Sequence, residues 1–270
     1  MVAFKRLDRK FGQGDPEFWK EIMMLSRYTH ENLISLLGYC NEGGEMILVY
    51  EHVSKDSLDR HLSSTTLTHS LKRVLHRDIK IPNILLDENW NAKVSDMGLS
   101  KLGPANQQHT ALMTNAVGTP GYYDPLYMEL GYLTKESDVY SFGVVLLEVL
   151  FGKLCYEYIN GQYQLLVRMW KKGYEENNID QFIFHYLKQQ MDSSSLKSFS
   201  DIASECLKRS RDERPPMADV EIYEKVKLPT DYKEIIKTAV PTLNYGSEVL
   251  KKILLKGTLL NSGKSGLQLT

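Results

Sequence analysis

Between Leu75 and Gly98 the chain reads LHRDIKIPNILLDENWNAKVSDMG, gathering a large share of its charge-bearing chemistry between two short apolar runs. His76-Arg77-Asp78 is followed at a fixed distance by Lys80 and Asn83, then by Ile84-Leu85-Leu86. A turn at Asp87-Glu88-Asn89 leads to Ala92-Lys93-Val94, and Asp96-Met97-Gly98 closes the unit. That order suits phosphoryl transfer. The reaction needs a carboxylate at the attacking hydroxyl, metal ligands at the phosphates, and positive charge where negative charge develops. Asp78 would orient the hydroxyl and accept its proton. Asn83 and Asp96 carry oxygen donors suited to Mg2+, and a hairpin between them would fold both into one cleft. Lys80 would neutralise charge on the group in transit. Any one of these residues is better explained by a solvated polar loop; the whole ordered set is not.

The elements around this unit are legible from pattern. Val2-Ala3-Phe4-Lys5 is a strand-like run ending on a lysine. After a polar connector with Gly12 and Gly14, a helix is signalled by Asp15 as N-cap, Pro16 at the first helical position and Glu17 at the positive end of the dipole. Phe18, Ile22 and Leu25 make its buried stripe. Glu21 lies beside that stripe and can reach inward, although local pattern leaves an exposed glutamate equally open. Leu33–Cys40 and Met46–Glu51 read as strands joined by an Asn41-Glu42-Gly43-Gly44 hairpin turn. Thr134 to Phe151 reads as a helix with Thr134 as N-cap and Gly152 just past its end. It is apolar nearly all round from Phe142, and so central and buried. Leu165–Trp170, Phe182–Leu187 and Phe199–Leu207 carry apolar positions at helical spacing. From Glu221 Lys and Glu are interleaved with apolar residues, a short amphipathic helix begins at Ser247, and the tail from Asn261 is polar.

Composition narrows the class. The 270 residues allow one large or two small domains, and 42% hydrophobic with 25% charged residues describe an ordinary globular protein with a real core. A net charge of −1 argues against nucleic acid or a membrane surface as an electrostatic partner. Cys40, Cys155 and Cys206 are scattered, odd in number and without CxxC spacing, which fits a reducing compartment. No signal peptide is visible at Met1, and the apolar run Phe142–Phe151 is too short to span a bilayer. A cytoplasmic chain is expected, reaching the inner face of the plasma membrane only through partners.

The fragments HENLISLLGYC, ILVYEHV, VLHRDIKIPNILLD, GTPGYYDPLY and ESDVYSFGVVLLEVL resemble the intracellular kinase domains of plant receptor-like kinases, from about Val2 to Val220. The DIKxxN form resembles the Ser/Thr class. The resemblance implies an α+β, bilobal protein-kinase-like fold with a partial antiparallel β N-lobe over 1–51 and a mainly α-helical C-lobe over 52–220, followed by a partly helical extension over 221–270. It implies ATP and Mg2+ as cofactors and a protein substrate or an upstream receptor kinase as partner. Lys5 then matches the strand lysine that holds the α- and β-phosphates and pairs with the helix glutamate Glu21. Glu51-His52-Val53 becomes the linker whose backbone meets adenine, with Ala3 and Leu85 sandwiching the ring. Gly98 to Tyr127 becomes the activation loop, with Thr110, Thr114, Thr119 and Tyr123 as candidate phosphorylation sites. Arg77 is the natural partner for such a phosphate. Thr119 would sit near Asp78, Asp138 would support the catalytic-loop backbone, and Arg214 would match a late structural arginine.

Four departures stand against the pattern. No Gly-rich loop precedes Lys5, which leaves the Val2–Lys5 strand as a sheet edge. Between Glu51 and His76, Asp56–Leu62 can supply a short helix, but Ser63–Val74 is polar and cannot supply the long one expected there. The helix Asp138–Phe151 should then show bare apolar surface. Met97 stands for the phenylalanine of D-F-G, as a flexible apolar filler. Leu126 stands for an expected glutamate, so Arg214 must find Glu129, Asp124 or water. These blocks lead us to expect a shortened version of a longer kinase. Two readings therefore stand side by side: an ATP-dependent Ser/Thr protein kinase, and a catalytically impaired kinase-like scaffold. Carbohydrate binding by the C-terminal stretch, which weakly resembles the opening of a phloem-lectin module, is a minor third.

Overall fold

The computed structural model describes residues 2–7, 14–30, 32–53, 72–86, 92–104, 111–159, 162–176, 178–217 and 220. The opening run is strand β1 (Val2–Arg6), in which Ala3 and Lys5 face inward while Val2, Phe4 and Arg6 are exposed. Helix α1 (Asp15–Arg27) begins one residue earlier than its sequence signals place it. The cap is Gly14, not Asp15, because the Glu17 carboxylate reaches back to accept the Gly14 N–H at 3.0 Å. Asp15 and Pro16 then occupy the first two helical positions, where proline's missing N–H costs no helical bond. The buried face is Phe18, Glu21, Met24 and Leu25, with Ile22 only half-buried.

Strands β2 (Leu36–Glu42) and β3 (Glu45–Glu51) form the hairpin, and β1 joins it in the order β1-β3-β2, all antiparallel. The turn is Gly43-Gly44 alone, with φ of 61° and 83°, the left-handed pair that a two-residue hairpin loop requires. Asn41 and Glu42, expected in the turn, belong to the ladder opposite Met46 and Glu45. Leu33, expected in the strand, makes an isolated parallel bridge to Val94 instead, linking the stretch before β2 to the 92–94 strand. β1 stands at an edge of the three-stranded sheet.

The chain continues with β4 (Lys72–Leu75), β5 (Ile84–Leu86), β6 (Ala92–Val94) and β7 (Lys101–Pro104), paired antiparallel as β4 with β7 and β5 with β6. Strand β8 (Leu112–Met113) pairs with β9 (Tyr132–Leu133) across α2 (Pro125–Leu130). Helix α3 (Lys135–Phe151) starts after Thr134 and ends at Gly152, as its sequence requires. The expected bare face on α3 is not found, since every residue from Ser137 to Phe151 is buried. After the hairpin β10 (Tyr156–Ile159) and β11 (Gln162–Leu165), helix α4 (Leu166–Glu175) packs on α3. Short α5 (His185–Gln190) follows, and then α6 (Ser193–Cys206) also packs on α3, so the sides of the central helix are taken by its neighbours. The helical stretch expected from Phe182 starts only at His185, after a 3-10 turn at Ile179–Gln181. Phe151 meets both Trp170 and Phe182 at 5.8 Å between ring centroids, so aromatic packing closes the far end of α3.

The expectations for residues 56–62 and 63–71, for the turn at 87–89, for Thr110 and for everything from Glu221 lie outside the described residues, Val220 apart from them being the last described position.

Candidate active site

The β5–β6 hairpin brings together the two ends of the Leu75–Gly98 unit. Ser95 follows β6, and its N–H and hydroxyl both donate to the Asn83 carbonyl, at 2.8 and 3.0 Å. Asn83 and Asp96 therefore flank one opening. The loop before β5 hangs on α3: Asp138 accepts from the backbone N–H groups of His76 and Arg77 at 2.7 and 2.9 Å. The His76 ring nitrogen Nε2 meets the Ser95 carbonyl at 2.9 Å. Arg77 holds φ at 72°, a left-handed value costly for a side chain with a Cβ, and the Asp138 bonds hold it there. That kink turns Asp78 toward the cleft.

Asp78 is buried and surrounded by donors. Thr119 donates its hydroxyl to Oδ1 at 2.6 Å, Lys80 stands 2.8 Å from Oδ2, and Asn83 Nδ2 donates to Oδ2 at 3.1 Å. Lys80 also donates to the Thr119 hydroxyl at 2.9 Å, closing a three-membered clasp. Burial alone would raise the Asp78 carboxyl, but the Lys80 and Thr119 contacts hold it below the usual aspartate value. It is thus an ionised base beside a cation and a hydroxyl. Gly118 makes the clasp possible: at φ of 138° its carbon lies so close to Arg77 that a Cβ would stand 2.9 Å from the Arg77 carbonyl.

On the other side of the opening, Lys5 bridges two carboxylates, Glu21 at 2.9 Å and Asp96 at 2.8 Å. Burial works against the ammonium, yet Glu21 and Asp96 together raise its pKa above the ordinary lysine value. Glu21 is 1% exposed, which decides the alternative left open by pattern: it points inward. Its second oxygen accepts from the Tyr50 hydroxyl at 2.8 Å. These residues line a cavity of about 350 Å3 together with Ala3, Glu51, Val53, Leu85 and Asn83, so each proposed nucleotide-site residue borders the same space. Glu51 is itself pinned by Ser35 N–H at 2.8 Å and Lys93 at 3.0 Å.

The donor set fits a hard cation. Asn83 spends its amide nitrogen on Asp78, which leaves Oδ1 as the atom able to ligate, and Asp96 supplies a carboxylate across the same cavity. Among the described residues no group of three or more His, Cys, Asp or Glu could hold a metal. Two protein oxygens with phosphates and water completing the shell is the arrangement Mg2+ favours.

The segment from Thr114 to Asp124 is anchored at several points. Tyr122 is buried and donates to Glu148 at 2.7 Å, while Tyr123 is half-buried. Thr114 is half-buried with its hydroxyl 3.4 Å from Arg77 Nη2. Of the three partners open to Arg214, the structure has Asp124, at 2.8 Å with both side chains fully buried. Glu129 is engaged with Arg209 instead. Asp124 also takes Arg211 at 3.0 Å, and these two arginines hold its carboxyl below the usual aspartate value against the upward push of burial.

Sequence reasoning misses three participants. Tyr50 reads only as part of a strand; its partner Glu21 is 29 positions away. Tyr127, whose hydroxyl takes Arg77 at 2.8 Å, carries no spacing signal tying it to the His76–Asp78 loop. Lys93 reads as one of a run leading out of a turn.

A model of the protein kinase domain matches residues 65–223, and a model of protein tyrosine and serine/threonine kinases matches residues 1–73. The chain is 41% identical over 247 residues to a putative receptor-like protein kinase of Arabidopsis thaliana, covering 82% of this chain and 28% of that protein. Against the Arabidopsis receptor-like protein kinases ANXUR1 and FERONIA the identities are 40% and 39% over 243 residues each. Each match covers 81% of this chain, and 28% and 27% of those proteins. The chain thus spans less than a third of the length of these relatives.

Proposed function

The chain belongs to the protein kinase family, and on that footing we propose that it transfers the γ-phosphoryl group of ATP to serine and threonine hydroxyls of proteins, as a receptor-like kinase in signalling. The observation that carries this reading is the environment of Asp78: an ionised carboxylate accepting a threonine hydroxyl at 2.6 Å, with Lys80 2.8 Å from its other oxygen. An incoming protein hydroxyl at the same carboxylate would be oriented and relieved of its proton in the same way. Lys80 would then stand beside the charge that develops on the group in transit. Lys5, aligned by Glu21, would hold the α- and β-phosphates. Ala3 and Leu85 would enclose the adenine, with the backbone of Glu51 and Val53 beside its edge. Asn83 and Asp96 would hold Mg2+, which supplies charge neutralisation at the phosphates when bound.

A described α1 that carries Glu21 inward to Lys5 favours catalysis over the scaffold reading, because that pair has to be closed for phosphate alignment. Protein substrates and an upstream receptor kinase are the partners this chemistry implies. Among the described residues no helix is long and apolar enough to cross a membrane.

The test is phosphoamino-acid analysis after incubation with γ-labelled ATP, Mg2+ and a peptide library presenting Ser, Thr and Tyr. Label on serine and threonine is expected. Label confined to tyrosine overturns the substrate class. No label, with Mg2+-ATP still raising Tm, favours the scaffold.

A further inference from the structure

Strands β8 and β9 present two unlike faces. In their ladder Leu112 stands opposite Leu133, and Met113 opposite Tyr132. Residues directly opposite share one side of the sheet, and the next pair takes the other. Leu133 is buried and, with Leu112 against it, joins a small cluster with Leu75 and Tyr127. The second pair therefore points outward: Met113 is 77% exposed, and Tyr132 beside it is exposed as well. Helix α2 continues this face. It buries Tyr127 and turns Met128, Glu129 and Leu130 to solvent, and Gly131 alone separates Leu130 from β9. The backbone beneath is fastened, since Thr114 N–H donates to the Gly131 carbonyl at 3.0 Å and Arg211 to the Tyr132 carbonyl at 2.6 Å. Four large apolar side chains thus stand in solvent on a fixed frame, the kind of patch that marks an interaction surface.

An ion pair sits inside the patch. Glu129, between Met128 and Leu130, accepts from Arg209 Nη2 through both oxygens, at 2.9 and 3.1 Å, and both side chains are exposed. That pair decides what fits the face. A purely apolar partner would strip water from two charges and offer them nothing in return. A partner charged with one sign would attract one member and repel the other. A second copy of the face, turned about a two-fold axis through the pair, lays Glu129 of each copy against Arg209 of the other. Four charges then alternate in a ring, with the apolar side chains of each copy covering those of the other around it. Self-complementary two-fold contacts of this kind are the commonest in soluble oligomers.

We propose that the chain pairs with a second copy of itself through the face formed by β8, β9 and α2. Met113, Met128, Leu130 and Tyr132 supply the buried area, and reciprocal Glu129–Arg209 contacts set the register. The apolar side chains carry the affinity, while the charges choose the partner and its orientation. This pairing is independent of whether the chain transfers phosphoryl groups.

The test reads the oligomeric state of the full chain by sedimentation velocity, from about 1 to 100 μM. The parent is expected to form a dimer in that range, and Leu130→Ser to weaken it about tenfold or more. Glu129→Lys and Arg209→Glu should each weaken it to a similar degree, because like charges then face each other across the axis. An equimolar mixture of those two variants should associate as the parent does, each chain now meeting the opposite sign in the other. A parent that stays monomeric, an unchanged dissociation constant in Leu130→Ser, or a mixture that associates no better than its components overturns the proposal. The Tm of each variant is read alongside. Should a charge reversal unfold the chain, the parent and Leu130→Ser decide the matter between them.

Discussion

Lys5 is held between Glu21 and Asp96, and Glu21 is held in turn by the Tyr50 hydroxyl, so two carboxylates position the cation and one of them has its own anchor. Removing the hydroxyl with Tyr50→Phe leaves Glu21 Oε1 buried without that donor, a loss of about 1–3 kcal/mol. We expect a lower Tm and weaker binding of Mg2+-ATP by calorimetry. Unaltered nucleotide affinity would mean that Glu21 needs no second anchor. At this scale the sequence is most readable where partners are close along the chain. Asp78, Lys80 and Asn83 fall within six positions, and their spacing alone implies a shared task. Tyr50 is different: a tyrosine ending an apolar strand looks like packing, and only the fold brings α1 across it.

At the scale of elements, α3 is the post to which both the His76–Asp78 loop and the segment from Thr114 to Asp124 are fastened. Asp138 near its start holds the backbone of His76 and Arg77; Glu148, near its other end, takes Tyr122 and the Cys155 N–H at 2.6 Å. Glu148 is buried, has no cationic partner among the described residues, and leaves Oε2 without a hydrogen bond, so burial pushes its carboxyl up to about 8. A raised carboxyl favours the protonated folded state. Its contribution is therefore complete below about pH 4.5 and is lost as pH rises toward about 8. Urea titrations across that range should show stability declining with pH, and Glu148→Gln should flatten the slope; an identical slope in the variant would assign the titration elsewhere.

The end of the same segment is closed by Asp124 between Arg211 and Arg214. Asp124→Asn should cost about 3–5 kcal/mol, since it strands a fully buried guanidinium. Adding Leu126→Glu in that background should recover part of the loss by restoring a carboxylate two residues on. No recovery would mean that position 126 cannot reach Arg214. Helices are legible from caps and periodicity, as with Thr134 and Gly152. Their exact starts are not, because the Gly14 cap depends on where the Glu17 side chain turns. The expected bare face of α3 fails for a related reason. Pattern shows that a helix is apolar all round, but not which later segments, here α4 and α6, will cover it.

For the whole molecule, the N-terminal sheet and α1 meet the rest of the chain through the packing of α1 on the 3-10 turn Met97–Leu99 and through a shared apolar cluster that includes Phe18, Ile34, Val94 and Met97. The ion pairs of Lys5 with Asp96 and Lys93 with Glu51, and the backbone bond from Ile34 to Val94, join them as well. The family is readable because its motifs are local strings in fixed order. The pairing of Asp124 with Arg214, 90 positions apart, is narrowed to three options by sequence and decided by the fold. The departures between Glu51 and His76 fall mostly outside the described residues, and the structure leaves that expectation untouched except at Lys72–Leu75, which is strand.

Asp78 as the base for a protein hydroxyl is the role on which the proposed phosphoryl transfer turns. It is tested by measuring phosphoryl transfer to a serine peptide by the parent chain and by Asp78→Asn, alongside Mg2+-ATP binding to each. Transfer in the variant should fall by about 10²–10⁴-fold while nucleotide affinity stays within a few-fold. Equal transfer rates in the two proteins would contradict it.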